Sequence, residues 1–290
     1  MTTSPLSTRK ISQDNVTAIG FGAMGLSAFR GTVAPDEERL KVFDELYASG
    51  CTNWDTANVY GDSEELIGKW FKRTGKRSEI FLATKFGFTF KPERLINGEP
   101  DYVKKCVDES LRRLGGTPDP LVPIEVTMGA LKELVEAGKI HHIGLSECTA
   151  DTIRRAHAVH PVAAIQIEYS IFTLDHEHPD VGVIKTAREL GITIVAYSPL
   201  GRGLLTGKYT SPDAFDEKDL RCGLPRFSKE NFPKVLKVVE AVKTIADKYN
   251  ATPGQIALAW LLAQGTDIIP IPGTTNITVS LLKALGNQVQ

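Results

Sequence analysis

The sequence predicts an α/β protein whose strands close into a TIM-type (β/α)8 barrel, built as a single domain over residues 1–290. Several segments repeat one order, in which an amphipathic helix is followed by a glycine and then by a short apolar strand. The strands are apolar on both faces, as parallel strands are when helices cover them. About seven such strands span the chain without a linker-like stretch, which favours one barrel over an open sheet.

The repeats give the order of elements along the chain. The first strand is predicted from Val16 to Phe21. Residues 36–49 have apolar side chains at helical spacing, Gly50 ends that helix, and the strand Cys51–Asp55 follows. The same pattern predicts helices over 126–137 and 183–190 and strands over 79–84, 140–145, 162–167, 192–197 and 267–271.

The last third of the chain contains a helix start and a long loop. Thr252 and Gln255 have the spacing of a capping box around Pro253, which predicts a helix through Ile256–Leu262. Residues 210–233 are rich in Pro, Asp, Lys and Gly and predict a loop. Because this loop follows a strand, we expect it on the catalytic face of the barrel.

Composition excludes several classes of protein. Lys and Arg number 34 against 35 Asp and Glu, so the chain lacks the surplus positive charge of a nucleic-acid binder. No run approaches the roughly 18 apolar residues of a membrane span, and the first residues are polar. The cysteines are widely spaced without a C-x-x-C pair, which disfavours disulfides and zinc and predicts a reducing cytoplasm. The sequence does not predict an oligomeric state.

Residues 20–25 match the G-x-G-x-x-G pattern of dinucleotide-binding open sheets. That fingerprint requires a helix to begin immediately after the glycines. Here Gly31 and Pro35 intervene, and the next helix is predicted near Asp36. We therefore interpret the glycines as permitting a close backbone approach at the end of the first strand.

Three residues with complementary chemistry lie at predicted strand ends. Asp55 ends one strand, Tyr60 follows in a turn before a helix near Asp62, and Lys85 ends the next strand. In a barrel these positions meet on one face. A phenol has an ordinary pKa of about 10, and a buried ammonium beside it lowers that value. The alternative is that Asp55 caps a turn, Tyr60 packs at a helix start and Lys85 is solvated.

Longer segments resemble the aldo-keto reductase family, over roughly residues 16–275, in the order NWDTANVYGDSEELIG, FLATKFG, GALKELVEAGKIHHIGLSE, AIQIEYS, VAYSPLGRGLLTGK and IALAWLLAQ with IPIPGT. The best fit is to the branch of short aldo-keto reductases that includes pyridoxal reductases. The resemblance implies a barrel that binds NADPH in an extended conformation. It implies hydride transfer to an aldehyde or ketone carbon while Tyr60 protonates the oxygen, with Asp55 and Lys85 tuning the phenol.

The resemblance also assigns cofactor contacts to residues at the strand ends. Those beside the nicotinamide are Gly22, Met24, Ser146, Gln166 and Tyr197. Those along the pyrophosphate and the adenosine phosphate are Ser198, Leu200, Gly201, Gly203, Pro272, Gly273 and Thr274. Each position has an ordinary structural alternative, namely a strand-end cap, a core aromatic residue or a turn. Together, at the ends of successive strands, they describe one groove.

The sequence departs from the family where its fourth catalytic residue, a histidine, ends a strand. The corresponding interval between Leu114 and Pro123 reads GGTPDPLV, with no histidine and no strand pattern. We therefore expect the fourth strand to be missing or remodelled. None of the six histidines is an obvious replacement. His176 and His178 are predicted to line an extended segment, where a metal site is disfavoured and substrate contact is the alternative.

The residues after Thr274 depart as well, since the family's basic residues for the 2′-phosphate are absent there. The preference for NADPH is therefore implied by the resemblance alone. Two functions stay open at this stage. One is an NADPH-dependent reductase of small carbonyl compounds, and the other is a catalytically impaired NADP-binding scaffold or an unproductive isoform.

Overall fold

The structure, a computed structural model, describes residues 6–29, 31–91, 94–111, 123–215 and 219–275. Its strands are β1 (Thr8–Ile11), β2 (Asp14–Thr17), β3 (Phe21–Gly22), β4 (Asn53–Asp55), β5 (Phe81–Ala83), β6 (Phe88–Lys91), β7 (Arg94–Ile96), β8 (Ile143–Ser146), β9 (Val162–Glu168), β10 (Thr193–Tyr197) and β11 (Ile268–Pro270). Its α-helices are α1 (Met24–Ser27), α2 (Asp36–Ala48), α3 (Ser63–Thr74), α4 (Pro100–Leu111), α5 (Ile124–Glu136), α6 (Ala150–Val159), α7 (Val183–Glu189), α8 (Phe232–Lys248) and α9 (Pro253–Ala263).

The parallel strands follow one another in chain order around the molecule. β3, β4 and β5 form one sheet, and β8, β9, β10 and β11 form another. The two sheets meet where the first and last strands run side by side: the Gly20 amide donates to the Pro270 carbonyl at 2.9 Å, and the Gly22 amide donates to the Pro272 carbonyl at 3.1 Å. This order is the one that a barrel requires.

The segment predicted to lack its strand, between Leu114 and Pro123, lies outside the described residues except for Pro123 itself. Within the described part, β5 and β8 flank this interval and do not pair with each other. The Phe81 ring, at the start of β5, stacks on the His142 ring, just before β8, with centroids 6.3 Å apart. The two strands therefore approach each other at their amino-terminal ends.

The prediction of one strand from Val16 to Phe21 is wrong. Val16 and Thr17 end the antiparallel hairpin β1–β2, and the barrel strand is shortened to β3. The apolar faces of the hairpin, Ile11 and Val16, pack under Ile269 at the amino-terminal end of the barrel. The His142 ring contacts the Asp14 carboxylate of the hairpin at 2.6 Å, so this histidine lies at the end opposite the catalytic face.

Outer helices bury their apolar sides against the strands. Beside the sheet β3–β5, the rings of Phe43, Trp54 and Trp70 form the centre of one hydrophobic cluster. The capping box is confirmed, with Thr252 and Gln255 exchanging side-chain and backbone hydrogen bonds at the start of α9. The hairpin β6–β7 and helix α4 were not among the predicted elements. Within the described ranges, no helix has both the length and the apolar character needed to cross a bilayer.

Candidate active site

Asp55 and Lys85 form an ion pair at the carboxyl ends of β4 and β5. The Lys85 Nζ donates to Asp55 Oδ1 at 2.6 Å and to the Thr56 carbonyl, also at 2.6 Å. Only 12% of the Lys85 side chain and 7% of the Asp55 side chain is exposed. The pairing follows from parallel register, because Asp55 is aligned with Ala83, two residues before Lys85.

Tyr60 lies beside this pair in the turn between β4 and α3. The Lys85 Nζ is 5.1 Å from the centroid of the Tyr60 ring. Burial lowers the pKa of Lys85, but the charges of Asp55 and Tyr60 and hydrogen bonds to both raise it overall, so the amine stays an ammonium. The structure thus brings together Asp55, Tyr60 and Lys85, which we call the strand-end trio.

A side chain from the other sheet reaches the trio across the barrel interior. Gln166, on β9, donates through Nε2 to Asp55 Oδ2 at 2.8 Å. Both carboxylate oxygens of Asp55 therefore accept a hydrogen bond, one from Lys85 and one from Gln166. This contact was not predicted, because the resemblance gave Gln166 only a role at the nicotinamide.

The other residues predicted beside the nicotinamide surround this point on neighbouring strand ends. Ser146 ends β8 and Tyr197 ends β10, and both side chains are half-buried. The Ser146 hydroxyl has no hydrogen bond to any residue that the structure describes. Burial, and the negative charges of Glu147 and Glu168, raise the pKa of Tyr197, so its phenol is neutral.

The predicted pyrophosphate stretch is shaped by its backbone. Ser198, Gly201 and Gly203 all have positive φ, at 50°, 56° and 98°. A Cβ on Gly201 would lie 2.6 Å from the Phe172 ring, so this glycine is required by packing. Leu200 is buried in an apolar cluster with Leu205, which leaves only its backbone for a ligand.

Glycines lie where the first strand β3 approaches the residues after the last strand β11. This agrees with the interpretation that Gly22 permits a close backbone approach. A Cβ on Gly22 would lie 2.9 Å from the Ile271 carbonyl oxygen, and one on Gly273 would lie 2.6 Å from the Gly22 carbonyl oxygen. Pro272 is buried, and Thr274 is half-buried beside this seam. Met24 begins the one-turn helix α1 immediately after Gly22. The predicted residues Gly22, Met24, Pro272, Gly273 and Thr274 therefore lie close together where the first and last strands meet. Part of the room beside the two glycines is taken by backbone carbonyls of the protein itself.

Cations that the sequence reasoning missed lie along the pyrophosphate stretch. Arg202, with a φ of 56°, pairs with Glu168 at 3.1 Å, and Arg226 reaches the same carboxylate at 3.4 Å. Arg221 forms a buried pair with Asp219 and donates to the Arg202 carbonyl at 3.1 Å. The sequence shows Arg202 between Gly201 and Gly203, and it shows Arg221 and Arg226 within the loop 210–233. Residues 216–218 of that loop lie outside the described part.

His176 and His178, in the loop after β9, do not share an extended segment, because only His178 has an extended backbone, and this corrects that prediction. His176 lies in a 3-10 turn over Asp175–Glu177, and its Nε2 is 3.8 Å from Glu147 Oε2. The Nδ1 atom of His176 is buried without a hydrogen-bond partner among the described residues. His178 is 63% exposed and contacts Asp180. Across the described ranges, no three His, Cys, Asp or Glu residues are grouped as metal ligands.

A ring of parallel strands with a lysine–aspartate pair and a tyrosine at its carboxyl edge defines a barrel enzyme. The sequence model of the aldo/keto reductase family matches residues 18–279. The chain therefore belongs to the aldo/keto reductase family and is an oxidoreductase.

Curated relatives agree with this assignment. The chain is 58% identical over 287 residues to the aldo-keto reductase str7 of Strobilurus tenacellus, in an alignment covering 94% of this chain and 84% of that protein. It is 55% identical over 284 residues to the aldo-keto reductase yakc [NADP(+)] of Schizosaccharomyces pombe, covering 93% and 83%. It is 44% identical over 275 residues to a probable aldo-keto reductase 1 of Glycine max, covering 90% and 78%.

Solved structures confirm the TIM-type barrel. A glycerol dehydrogenase of Gluconobacter oxydans superposes with a TM-score of 0.84 at 27% identity, covering 98% of this chain and 90% of that one. A thermostable aldo-keto reductase in complex with the inhibitor epalrestat superposes with a TM-score of 0.74 at 27% identity, covering 98% and 95%.

Proposed function

We propose that the protein reduces aldehydes or ketones to alcohols with NADPH, and that Tyr60 is the general acid. One observation carries this proposal: Lys85, held by Asp55 at 2.6 Å, lies 5.1 Å from the Tyr60 ring at the mouth of the barrel. The name of the Schizosaccharomyces pombe relative includes NADP(+), which supports the choice of cofactor.

NADPH, when bound, supplies the hydride that reaches the carbonyl carbon. Tyr60 donates its hydroxyl proton to the carbonyl oxygen, which becomes the alcohol oxygen, and the phenolate that remains is stabilised by the Lys85 ammonium. Asp55 keeps Lys85 charged and fixed in place, because its Oδ1 accepts from the amine. Solvent then returns a proton to Tyr60.

The cofactor contacts proposed for this chain are the twelve positions given above from the family resemblance. Two features support them. The half-buried Ser146 hydroxyl has no hydrogen-bond partner among the residues that the structure describes, so it is available to the nicotinamide carboxamide. Tyr197, at the end of β10, offers a neutral ring. Arg202 supplies positive charge within the phosphate stretch, where phosphates are favoured by cations and by backbone N–H groups.

We further propose that residues 1–290 form one domain, which the family match over residues 18–279 supports. We also propose a cytoplasmic location, which is supported by Cys51, Cys106 and Cys148, none of which forms a disulfide within the described part of the chain. The impaired scaffold stays a second candidate, because the segment that would carry the family histidine departs from the family pattern.

A paired measurement on the purified chain separates the two candidates. NADPH binding is followed by quenching of protein fluorescence, and NADPH oxidation is followed with an activated aromatic aldehyde. We expect saturable binding together with turnover that depends on the aldehyde. Binding without any turnover would overturn the reductase and favour the scaffold.

A further inference from the structure

The turn that carries Tyr60 is packed directly against the loop that follows β3. Gly61 has a φ of 58°, and a Cβ there would lie 2.6 Å from the Ser27 carbonyl oxygen. Phe29 in the same loop has a φ of 65°, which is costly for a bulky residue, and its ring meets the Tyr60 ring edge-on at 6.4 Å. The loop and the turn therefore touch at the backbone and at the rings.

A buried arginine from the outer helix α2 fastens the loop to the turn. Arg39 is 5% exposed, and its two terminal nitrogens donate to the two oxygens of Asp62, each at 2.7 Å. The same guanidinium donates to the Ser27 hydroxyl at 2.9 Å. Such fork-like pairs combine charge with fixed geometry.

Arg39 and Asp62 each stabilise the charged form of the other. A hydrogen bond from Arg39 lowers the pKa of Asp62 to about 2, and the same bond raises the pKa of Arg39. Asp36 also contacts Arg39, and Lys69 contacts Asp36. Among the described residues the Nε atom of Arg39 has no hydrogen-bond partner, so the buried cation relies on these carboxylates.

Tyr60 thus lies between two anchors. On one side, the buried hydroxyls of Thr56 and Ser63 hydrogen-bond at 2.7 Å across the turn. On the other side, Asp62 is bound by Arg39. Releasing Asp62 would remove the ion pair that ties this turn to the loop after β3, while the backbone hydrogen bonds of Tyr60 within the turn, to Ala57 and Ser63 at 3.1 Å, would remain.

We propose that Arg39 and Asp62 are positioning residues for Tyr60, and that their ion pair holds the phenol beside Lys85 by clamping the turn onto the loop after β3. This inference rests on the proposed function of Tyr60 as the proton donor. Neither residue touches the reacting atoms. Their effect is exerted through the position of the phenol, to which proton transfer is sensitive.

The first test does not depend on turnover. Tyrosine labelled with carbon-13 at the ring carbon bearing the oxygen is incorporated, and the Tyr60 signal is assigned by its loss in Tyr60→Phe. We expect Asp62→Asn and Arg39→Lys to change the chemical shift of this signal and to broaden it, because a looser phenol samples several positions relative to the Lys85 ammonium. Asp62→Glu, which keeps the carboxylate, restores part of the wild-type signal.

The matched control is Glu125→Gln, which breaks the two-bonded Arg155–Glu125 pair between α5 and α6, at 2.8 and 2.9 Å. This control should leave the Tyr60 signal in place. Identical chemical shifts and line widths for Tyr60 in wild type, Asp62→Asn and Arg39→Lys would overturn the inference, whether or not the chain turns over.

Kinetics give the second readout and separate the inference from the function. We expect Asp62→Asn and Arg39→Lys to lower kcat by about 10- to 100-fold, since misplacement of a reacting group by about 1 Å has effects of this size. The KM for NADPH should be unchanged. Turnover in wild type that neither substitution reduces would overturn the positioning role and leave the reductase standing. Absent turnover in wild type would overturn the reductase, and the carbon-13 signal of Tyr60 would still decide the inference.

Discussion

Within the part of the chain that the structure describes, a tyrosine, a lysine and a carboxylate lie together at the strand ends and again on the surface. The surface trio is Tyr47, Lys76 and Glu79. There Lys76 Nζ donates to the Tyr47 hydroxyl at 2.7 Å and lies 3.3 Å from Glu79 Oε1. The Lys76 and Glu79 side chains are 35% and 50% exposed, against 12% and 7% for the lysine and the aspartate of the strand-end trio.

The difference lies in where the phenolic proton goes. In the surface trio, the Tyr47 hydroxyl donates to Glu79 Oε2, so its proton is already engaged by the carboxylate. In the strand-end trio, both oxygens of Asp55 accept from other side chains, Lys85 and Gln166. The comparison teaches that composition is not sufficient. The features that distinguish Tyr60, the proposed proton donor, from Tyr47 are a buried cation beside it and a carboxylate whose two oxygens accept from other side chains.

The largest expected effect follows from removing the cation of each trio. Lys85→Met should lower kcat by about 10²- to 10⁴-fold, the usual range for general acid–base assistance. Lys76→Met is the matched control, because it deletes the same ammonium beside a tyrosine and a carboxylate in solvent, and it should leave kcat unchanged. Steady-state rates with saturating NADPH measure both. Equal losses in the two variants would break the comparison.

The second prediction concerns the occupied carboxylate. Gln166→Leu removes the donor to Asp55 Oδ2, and a hydrogen bond to a charged group contributes about 1.5–3 kcal/mol, or roughly 10- to 100-fold in rate. We expect kcat to fall within that range and the KM for NADPH to rise, since Gln166 also lies on the proposed nicotinamide side. Gln264→Leu is the control, because the side-chain amide of Gln264 donates to the Trp260 carbonyl at 2.8 Å and not to Asp55. An unchanged kcat in Gln166→Leu would contradict the role assigned to the occupied carboxylate.

The strand-end trio itself could be predicted from the sequence, and its supports could not. Asp55 and Lys85 each follow an apolar strand, and parallel strands share one carboxyl edge, so pattern alone places them together. Arg39 reads as a charged residue on an outer helix, and nothing in the sequence indicates that it is buried against Asp62. The contact between Arg39 and Asp62 depends on the conformation of the loop after β3, which brings Ser27 and Asp62 to the same guanidinium.

The fold was predictable to a similar depth. The alternation of helices and strands indicated the parallel ring, because its period is a property of local sequence. The split of residues 16–21 was missed, since the hairpin β1–β2 turns through Ser12 and Gln13, which is not one of the common hairpin dipeptides. The interval 112–122, whose residues break the strand pattern, lies outside the described residues.

A third prediction compares two glycines that both have positive φ, one within the proposed phosphate stretch and one outside it. Gly201→Ala should weaken NADPH binding and lower stability by about 1–3 kcal/mol, because its φ is positive and its Cβ would meet Phe172. Gly138→Ala is the control, since Gly138 has a φ of 69° with nothing within 4 Å of the added Cβ. The control should lose stability without losing affinity for NADPH. Fluorescence titration and urea unfolding measure the two quantities, and equal affinity in both variants would contradict the proposed phosphate stretch.

The smallest expected effect is a change of stability with pH. The pKa of Asp62 is lowered from 3.8 to about 2, so its contribution is complete above the ordinary value and is lost as pH falls towards the folded value. Because 43% of the side chain is exposed, we expect this contribution to be about 1 kcal/mol after allowing for solvent screening. Urea unfolding should show Asp62→Asn less stable than wild type at about pH 7, with a narrower gap at about pH 3. A gap that does not change with pH would contradict an ionised Asp62 clamp.

The most direct test replaces each phenol of the two trios. In Tyr60→Phe, NADPH should bind as in wild type while aldehyde-dependent NADPH oxidation falls to background, because no group donates the proton. In Tyr47→Phe, binding and turnover should both match wild type. Turnover that survives in Tyr60→Phe at the wild-type rate, with binding intact, would contradict the assignment of Tyr60 as the proton donor.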